Sequence, residues 1–120
     1  MKKSFCNLEE ILKIRTDSEF LKVFAGTPIM RTKRRGLLRN AACVAANTRA
    51  ILTVDTLVDV FNQDQDSYIR GYAVYALSRL FEACNNVKRL KIKDVFSSAM
   101  KDESLFVRKE VEMALKAGRI

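Results

Sequence analysis

Three segments of the chain share one nine-residue pattern. Ile69-Arg70-x-x-Ala73-x-x-Ala76-Leu77 aligns with Val107-Arg108-x-x-Val111-x-x-Ala114-Leu115 at an offset of 38 residues, and Leu38-Arg39-x-x-Ala42-x-x-Ala45-Ala46 fits the same template at an offset of 31. The apolar and small positions recur every three to four residues, the period of one helix face. A helical unit repeated at such intervals cannot close its hydrophobic face alone and must stack on its neighbours, so about three copies form a minimal stack. The small residues at Ala42/Ala45, Ala73/Ala76 and Ala114 let adjacent helices approach closely.

A shorter apolar helix precedes each copy. Asn7-Leu-Glu-Glu10 has a capping-box spacing ahead of Ile11 and Leu12, and Thr16-Asp-Ser-Glu19 repeats the signal before Phe20, Leu21, Val23 and Phe24. Gly26 is placed as the residue after a helix end, and Thr27-Pro28 breaks the helix because the residue before proline avoids helical angles. A helix is expected to resume by about Arg34 and to run to Asn47. Thr53 or Asp55 opens the next, with Leu57, Val58, Val60 and Phe61 as its stripe. Asp66 or Ser67 caps a long helix through Leu80. After Asn85-Asn86 one more pair follows, Ile92 to Met100 and then Val107 to Leu115, ending at Gly118. No segment alternates with the period of a strand. The expected fold is all-α, a short HEAT-like or armadillo-type superhelix of about three helix pairs, in a single domain over residues 1–120 with units near 7–48, 53–84 and 90–117.

Composition agrees with a packed helical domain. Hydrophobic residues make up 48%, enough for a core, and glycine (4) and proline (1) are scarce, which argues against both disorder and a turn-rich β fold. The opening Met-Lys-Lys-Ser-Phe-Cys has no apolar stretch behind its lysines, so a signal peptide is not expected. No window reaches the length of an apolar membrane span. The chain is therefore expected to be soluble and cytoplasmic, without a membrane partner. Cys6, Cys43 and Cys84 are odd in number and far apart, which suits idle thiols in a reducing compartment and neither a disulfide framework nor a metal or iron–sulfur ligand set.

Charge is distributed unevenly. The net is +8, but residues 1–50 hold eleven Lys/Arg against four Asp/Glu, while residues 51–120 hold eleven against ten. The excess concentrates in Arg31-Thr-Lys33-Arg34-Arg35-Gly-Leu-Leu-Arg39, five cations without an acid, and such a ridge points to a polyanion. A second cluster, Lys88-Arg89-x-Lys91-x-Lys93, falls where an inter-repeat loop is expected. Arg39, Arg70 and Arg108 share one repeat position. Asp64 and Asp102 stand six residues before Arg70 and Arg108, a spacing that resembles the Asp/Arg pair bridging HEAT repeats. Lys33 takes that place before Arg39, which leaves Arg39 free for a partner.

The stretch Phe24-Ala-Gly26-Thr27-Pro28-Ile29-Met30-Arg31-Thr32-Lys33-Arg34-Arg35-Gly36-Leu37-Leu38-Arg39-Asn40, continuing to Asn47, resembles a segment of the epoxyqueuosine reductase family. These are cobalamin- and iron–sulfur-dependent enzymes of queuosine biosynthesis in tRNA, and the resembling segment belongs to their helical-repeat, tRNA-contacting C-terminal part. The match is close over about 25 residues and looser beyond. The family's cysteine runs and corrinoid-binding domain have no counterpart here, so the resemblance implies a tRNA-binding appendage without the reductase activity or its cofactors.

The residues offer little chemistry of their own. Histidine is absent, as are a phosphate-binding glycine loop and a nucleophile elbow. Glu9-Glu10 and Asp64/Asp66 fall at helix starts, where carboxylates favour the dipole, and are read as caps and not as metal ligands. No catalytic residue, metal or cofactor is expected. The leading expectation is binding of tRNA or another structured RNA, with Arg31, Lys33, Arg34, Arg35 and Arg39 on phosphates and Asn40 and Asn47 adding hydrogen bonds. Aromatic residues, 8% of the chain, sit at core-like positions, so base stacking is expected to be weak. The alternatives are a protein–protein scaffold gripping an acidic partner, and a non-catalytic subunit beside a separate catalytic chain.

Overall fold

The computed structural model describes residues 7–120, and every regular element among them is helical. Seven α-helices follow in chain order among the described residues: α1 (Leu8–Leu12), α2 (Asp17–Phe24), α3 (Lys33–Asn47), α4 (Val54–Gln63), α5 (Ser67–Leu80), α6 (Asn86–Ala99) and α7 (Leu105–Lys116). Short 3₁₀ turns lie at Pro28–Thr32, Ile51–Thr53 and Phe81–Ala83.

The capping residues act as their types require. The side chains of Asn7, Thr16, Asp66, Asn85 and Ser104 accept from the backbone amides of Glu10, Glu19, Tyr68, Lys88 and Val107, each satisfying a donor that the first turn leaves over. Glu19 reaches back to the amide of Arg15, one residue ahead of the cap, at 2.6 Å. Gly26 and Gly118 hold φ of +81° and +70°, the left-handed conformation that ends α2 and α7. Two boundaries differ from the sequence reading. Pro28 starts a 3₁₀ turn that runs into α3, so helical backbone resumes five residues earlier than a plain turn would allow. α6 begins at Asn86, because Asn85 caps it, and not near residue 90.

The helices form two layers. α3, α5 and α7 pack side by side in one; α1 and α4, then α4 and α6, neighbour each other in the other, while α2 with its 3₁₀ turn flanks α3. The core fills the space between layers. Leu12, Leu38, Val54, Leu57, Leu77, Leu80, Ile92, Val107 and Val111 are fully buried there, with Ala45, Ala73, Ala76, Ala99 and Ala114 at the close helix approaches. Gly71 marks the closest. A methyl group added to it would meet the Phe106 ring at 2.3 Å, so only a bare backbone lets α7's aromatic lie on α5.

An Arg–Asp ladder runs along the edge where the turns between layers lie. Arg34 on α3 donates to the Asp64 carboxylate and to the carbonyl oxygen of Ile14. Arg70 on α5 donates to both oxygens of Asp102, at 3.1 and 3.0 Å, and to the carbonyls of Asp64 and Gln65. Arg108 on α7 donates to the carbonyl of Asp102 at 2.6 Å. Arg70 and Arg108 thus hold the turns before their own helices, Arg34 holds the turn between α1 and α2, and Arg34 and Arg70 also hold the turns before α5 and α7. Asp64 and Asp102 shape those turns alike, accepting from the amides of Asp66 and Ser104. The expected Asp64/Arg70 and Asp102/Arg108 bridges are therefore corrected in detail: each aspartate meets that arginine through its backbone carbonyl, and gives its carboxylate to Arg34 and Arg70 respectively. The arginine of α3 that pairs in this way is Arg34, five residues before Arg39, because the 31-residue alignment matched the apolar pattern but not the ion pairs.

Candidate nucleic-acid interface

The five cations of the 31–39 run do not form a single free ridge. Arg34 is the clear correction. Its position on α3 faces the interior; it is 7% exposed, paired with Asp64 and bonded to Ile14. A phosphate contact from Arg34 would strip Asp64 of its partner, so Arg34 leaves the candidate interface. Arg35 is exposed but engaged: its Nε and Nη2 grip the Asp66 carboxylate at 2.8 and 3.1 Å, and its guanidinium lies over the Tyr68 ring at 5.0 Å. The hydrogen bond and charge of Asp66 raise the Arg35 pKa. Burial pushes the Asp66 carboxyl up, yet the Arg35 hydrogen bond and the amides of Tyr68 and Ile69 outweigh it and hold it below the ordinary range.

Arg31 and Lys33 are exposed, and no side-chain hydrogen bond or ion pair ties either to another described residue. Lys33 takes φ of +60° at the junction between the 3₁₀ turn and α3, a conformation costly for a residue with a Cβ. Arg39, one turn beyond Arg35, makes no ion pair within the described residues. Its Nε and Nη2 donate to the Asn40 side-chain oxygen at 3.2 and 3.1 Å, and its pKa is raised chiefly by a hydrogen bond to the Tyr68 hydroxyl. Asn40 is thereby a support for Arg39. Asn47 is the last residue of α3 and exposed; the helix end is closed by Thr48, whose hydroxyl donates to the carbonyl of Val44.

The second cluster lies on a helix, not in a loop, and is mostly engaged. Lys88 and Lys91 both pair with Asp55 on α4, at 3.6 and 3.0 Å, and together lower its carboxyl pKa. Arg89 donates to the carbonyls of Phe81 and Glu82 and lies over the Phe81 ring, with Lys93 at 5.9 Å from the same ring. These cations fasten α6 to its neighbours.

Two open clefts follow the ladder edge, of about 740 and 710 Å³. Asp17, Asp64 and Asp66 counter Arg15, Lys33, Arg34 and Arg35 in the first, and Asp64, Asp102 and Glu103 face Arg70 in the second. With the acids in place neither cleft is a phosphate cradle. No group of three or more potential metal ligands converges among the described residues, and no described helix is long and apolar enough to cross a membrane. Cys84 is buried, its thiol donating to the Leu80 carbonyl and pushed up in pKa by burial. Cys43 is half-buried, and Cys6 lies outside the described residues.

The sequence reading missed a surface on the outer side of the α3–α5–α7 layer. Tyr68, Tyr72 and Tyr75 of α5 join Phe106 of α7 in one aromatic strip. Tyr68 stacks on Phe106 with centroids 5.3 Å apart and planes at 16°; Tyr72 lies 5.1 Å from Tyr68, 5.8 Å from Phe106 and 6.0 Å from Tyr75. None of the four is fully buried. Arg35 covers one end at Tyr68, and Arg79 lies 5.0 Å over Tyr75 at the other. The signal was present as the spacing 68, 72, 75, 79 on one helix face, beside the alanine stripe. Comparison with protein-family models, curated proteins and solved structures finds no match to this chain.

Proposed function

We propose that the chain is a non-catalytic, cytoplasmic HEAT-like repeat module that binds tRNA or another structured RNA. The two-layer helix stack with its Arg–Asp ladder supports the repeat reading, and the resemblance around Phe24–Asn47 supports tRNA as the RNA class. The observation that carries the binding reading is the set of cations left at the surface after the ladder takes its share: Arg31 and Lys33 without side-chain partners among the described residues, Arg39 without a carboxylate, and Arg35 held by an exposed ion pair and the Tyr68 ring. An exposed pair of that kind contributes little stability, so a phosphate can compete for it. Recognition of this sort runs through backbone and shape.

Filter binding of total tRNA and of duplex DNA across a salt series tests it. Four phosphate contacts give a slope of log K against log salt of about −3 to −3.5, with tRNA bound more tightly than DNA. Replacing Arg31 and Lys33 with alanine lowers the slope and weakens binding while the thermal transition stays in place. Binding that ignores salt, or no binding to tRNA at all, overturns the proposal.

A second reading rests on the α6–α7 end. Arg108 holds the ladder position but has no carboxylate in ion-pair range among the described residues, and Val87, Leu90, Met100, Leu105 and Met113 are exposed on these helices and the turn between them. An acidic helical protein, such as a separate catalytic subunit of a tRNA-modifying enzyme, fits such an end. Co-purification of one acidic polypeptide instead of nucleic acid favours this reading.

A further inference from the structure

The aromatic strip is built, not incidental. Gly71 is kept bare so that Phe106 can lie against α5, and Phe106 in turn gives Tyr68 its stacking partner. The Arg39 guanidinium, held by the Asn40 side-chain oxygen, lies near the Tyr68 hydroxyl, and the phenol of Tyr68 is held below its ordinary pKa by Arg39 first and Tyr72 second. The rings are thus fixed in a row along α5, from residue 68 to residue 75. A guanidinium lies against the row at each end, and a third, Arg39, sits beside it. Among the described residues, the one acid hydrogen-bonded to the flanking cations is Asp66, the partner of Arg35.

The three tyrosines are half-buried, each keeping part of its ring at the surface, and a row of them flanked by cations has one chemistry that uses both features. Nucleobases have π faces that stack on aromatic rings and on guanidinium planes, and each base carries a phosphate beside it. A duplex hides its base faces, whereas a loop or single strand offers them. Acidic peptides satisfy the arginines but leave the rings without stacking partners.

We propose that Tyr68, Tyr72, Tyr75 and Phe106 form a stacking platform for unpaired nucleobases, with Arg35, Arg39 and Arg79 on the flanking phosphates. This rests on the RNA-binding reading above and narrows it to single-stranded or loop RNA. It runs against the expectation that stacking is weak, and the titration below decides between them.

The chain supplies its own probe. It has three tyrosines and no tryptophan, and all three tyrosines are in the strip, so its intrinsic emission comes from this site alone. The full chain is titrated with an RNA hairpin bearing an unpaired loop, with a blunt RNA duplex of the same length, with heparin as a polyanion without bases, and with an acidic peptide. The hairpin is expected to quench tyrosine emission and to bind more tightly than the duplex. Tyr72→Leu with Tyr75→Leu is expected to weaken hairpin binding about 5- to 150-fold, the range for one lost base stack, leaving duplex binding unchanged, and the corresponding Phe variants are expected to restore it. Equal binding of hairpin and duplex with unchanged emission overturns the platform and leaves phosphate binding standing. Quenching by heparin to the same extent, or preferential binding of the acidic peptide, also overturns it. Failure of every RNA to bind removes the broader reading together with this one.

Discussion

The guanidinium of Arg34 donates to the carboxylate of Asp64, 30 residues ahead in the chain, with side chains 8% and 1% exposed. Asp64 also accepts from Arg15 at 3.4 Å and from the amide of Asp66, so one buried carboxylate joins α3 and the turn after α1 to the turn before α5. Removing either partner leaves the other charged and dry. Arg34→Ala and Asp64→Ala are each expected to destabilise the fold by about 3–5 kcal/mol, the range for breaking a buried pair. Urea unfolding followed by helical circular dichroism measures it. Replacing both residues with apolar side chains of similar size is expected to recover most of the loss; two small single-variant losses would show that the pair is solvated.

The ladder and its neighbours also set an acid dependence. Asp102 and Asp66 are pushed up by burial but pulled further down by Arg70, Arg35 and backbone amides, so each titrates below its ordinary value in the folded chain. A carboxyl lowered on folding contributes stability that is complete above its unfolded pKa, about 4, and is lost as pH falls through the lower folded value. Glu110 runs the other way: burial raises its pKa, so acid favours its folded form. Asp55, lowered by Lys91 and Lys88, adds a third group of the first kind, and three lowered carboxyls against one raised predict a urea midpoint that is flat near neutrality and falls below about pH 4. Asp102→Asn should flatten that fall, and an unchanged acid limb would mean the Arg70 pair contributes nothing.

How much of this was legible follows from the reach of each signal. Caps and helix ends were, because Asn7, Thr16, Asp66 and Gly26 act on backbone within three residues of themselves. The small-residue stripes were also legible, since Ala42, Ala45, Ala73, Ala76 and Ala114 all prove buried. The partner of Arg34 was not. A run of cations reads alike whether its members point outward or inward, and only the helical phase of α3, set by a 3₁₀ turn that no periodicity announces, turns Arg34 in and Arg35 out. The aromatic strip was not legible either: Tyr68 and Tyr72 share a helix with buried Ile69 and Ala73, and Phe106 joins them only through a contact across two helices at Gly71.

Gly71 gives a test of that contact free of any ligand. In a helix interior, Gly→Ala ordinarily stabilises by about 0.5–1 kcal/mol. Here the new methyl overlaps the Phe106 ring, whose Cε2 would lie 2.3 Å away, and overpacking costs about 1–3 kcal/mol. Gly71→Ala is therefore expected to lower stability, and the same change in a Phe106→Ala background to raise it. The sign reversal in a double-mutant cycle read by thermal melting is the observation to look for; stabilisation in both backgrounds would place the ring elsewhere.

Asp66 separates the electrostatics of binding from the integrity of the fold. It has two roles: its side chain caps α5 by accepting from the amide of Tyr68 at 2.9 Å, and its charge occupies Arg35. Asparagine caps a helix about as well as aspartate, so Asp66→Asn keeps the first role and discards the charge. If RNA phosphates compete with Asp66 for Arg35, the variant binds tRNA more tightly, by roughly 1.5- to 5-fold, since an exposed pair is worth about 0.2–1 kcal/mol. The gain should shrink as salt rises, because the phosphate contact is screened by the same ions that screened the pair. Arg35→Ala should abolish it, leaving the two single-site variants and their double as a closed cycle. Weaker binding by Asp66→Asn at unchanged stability would instead mean that the ion pair holds Arg35 in its binding pose, and the cation's contribution to RNA affinity would then depend on Asp66 staying charged.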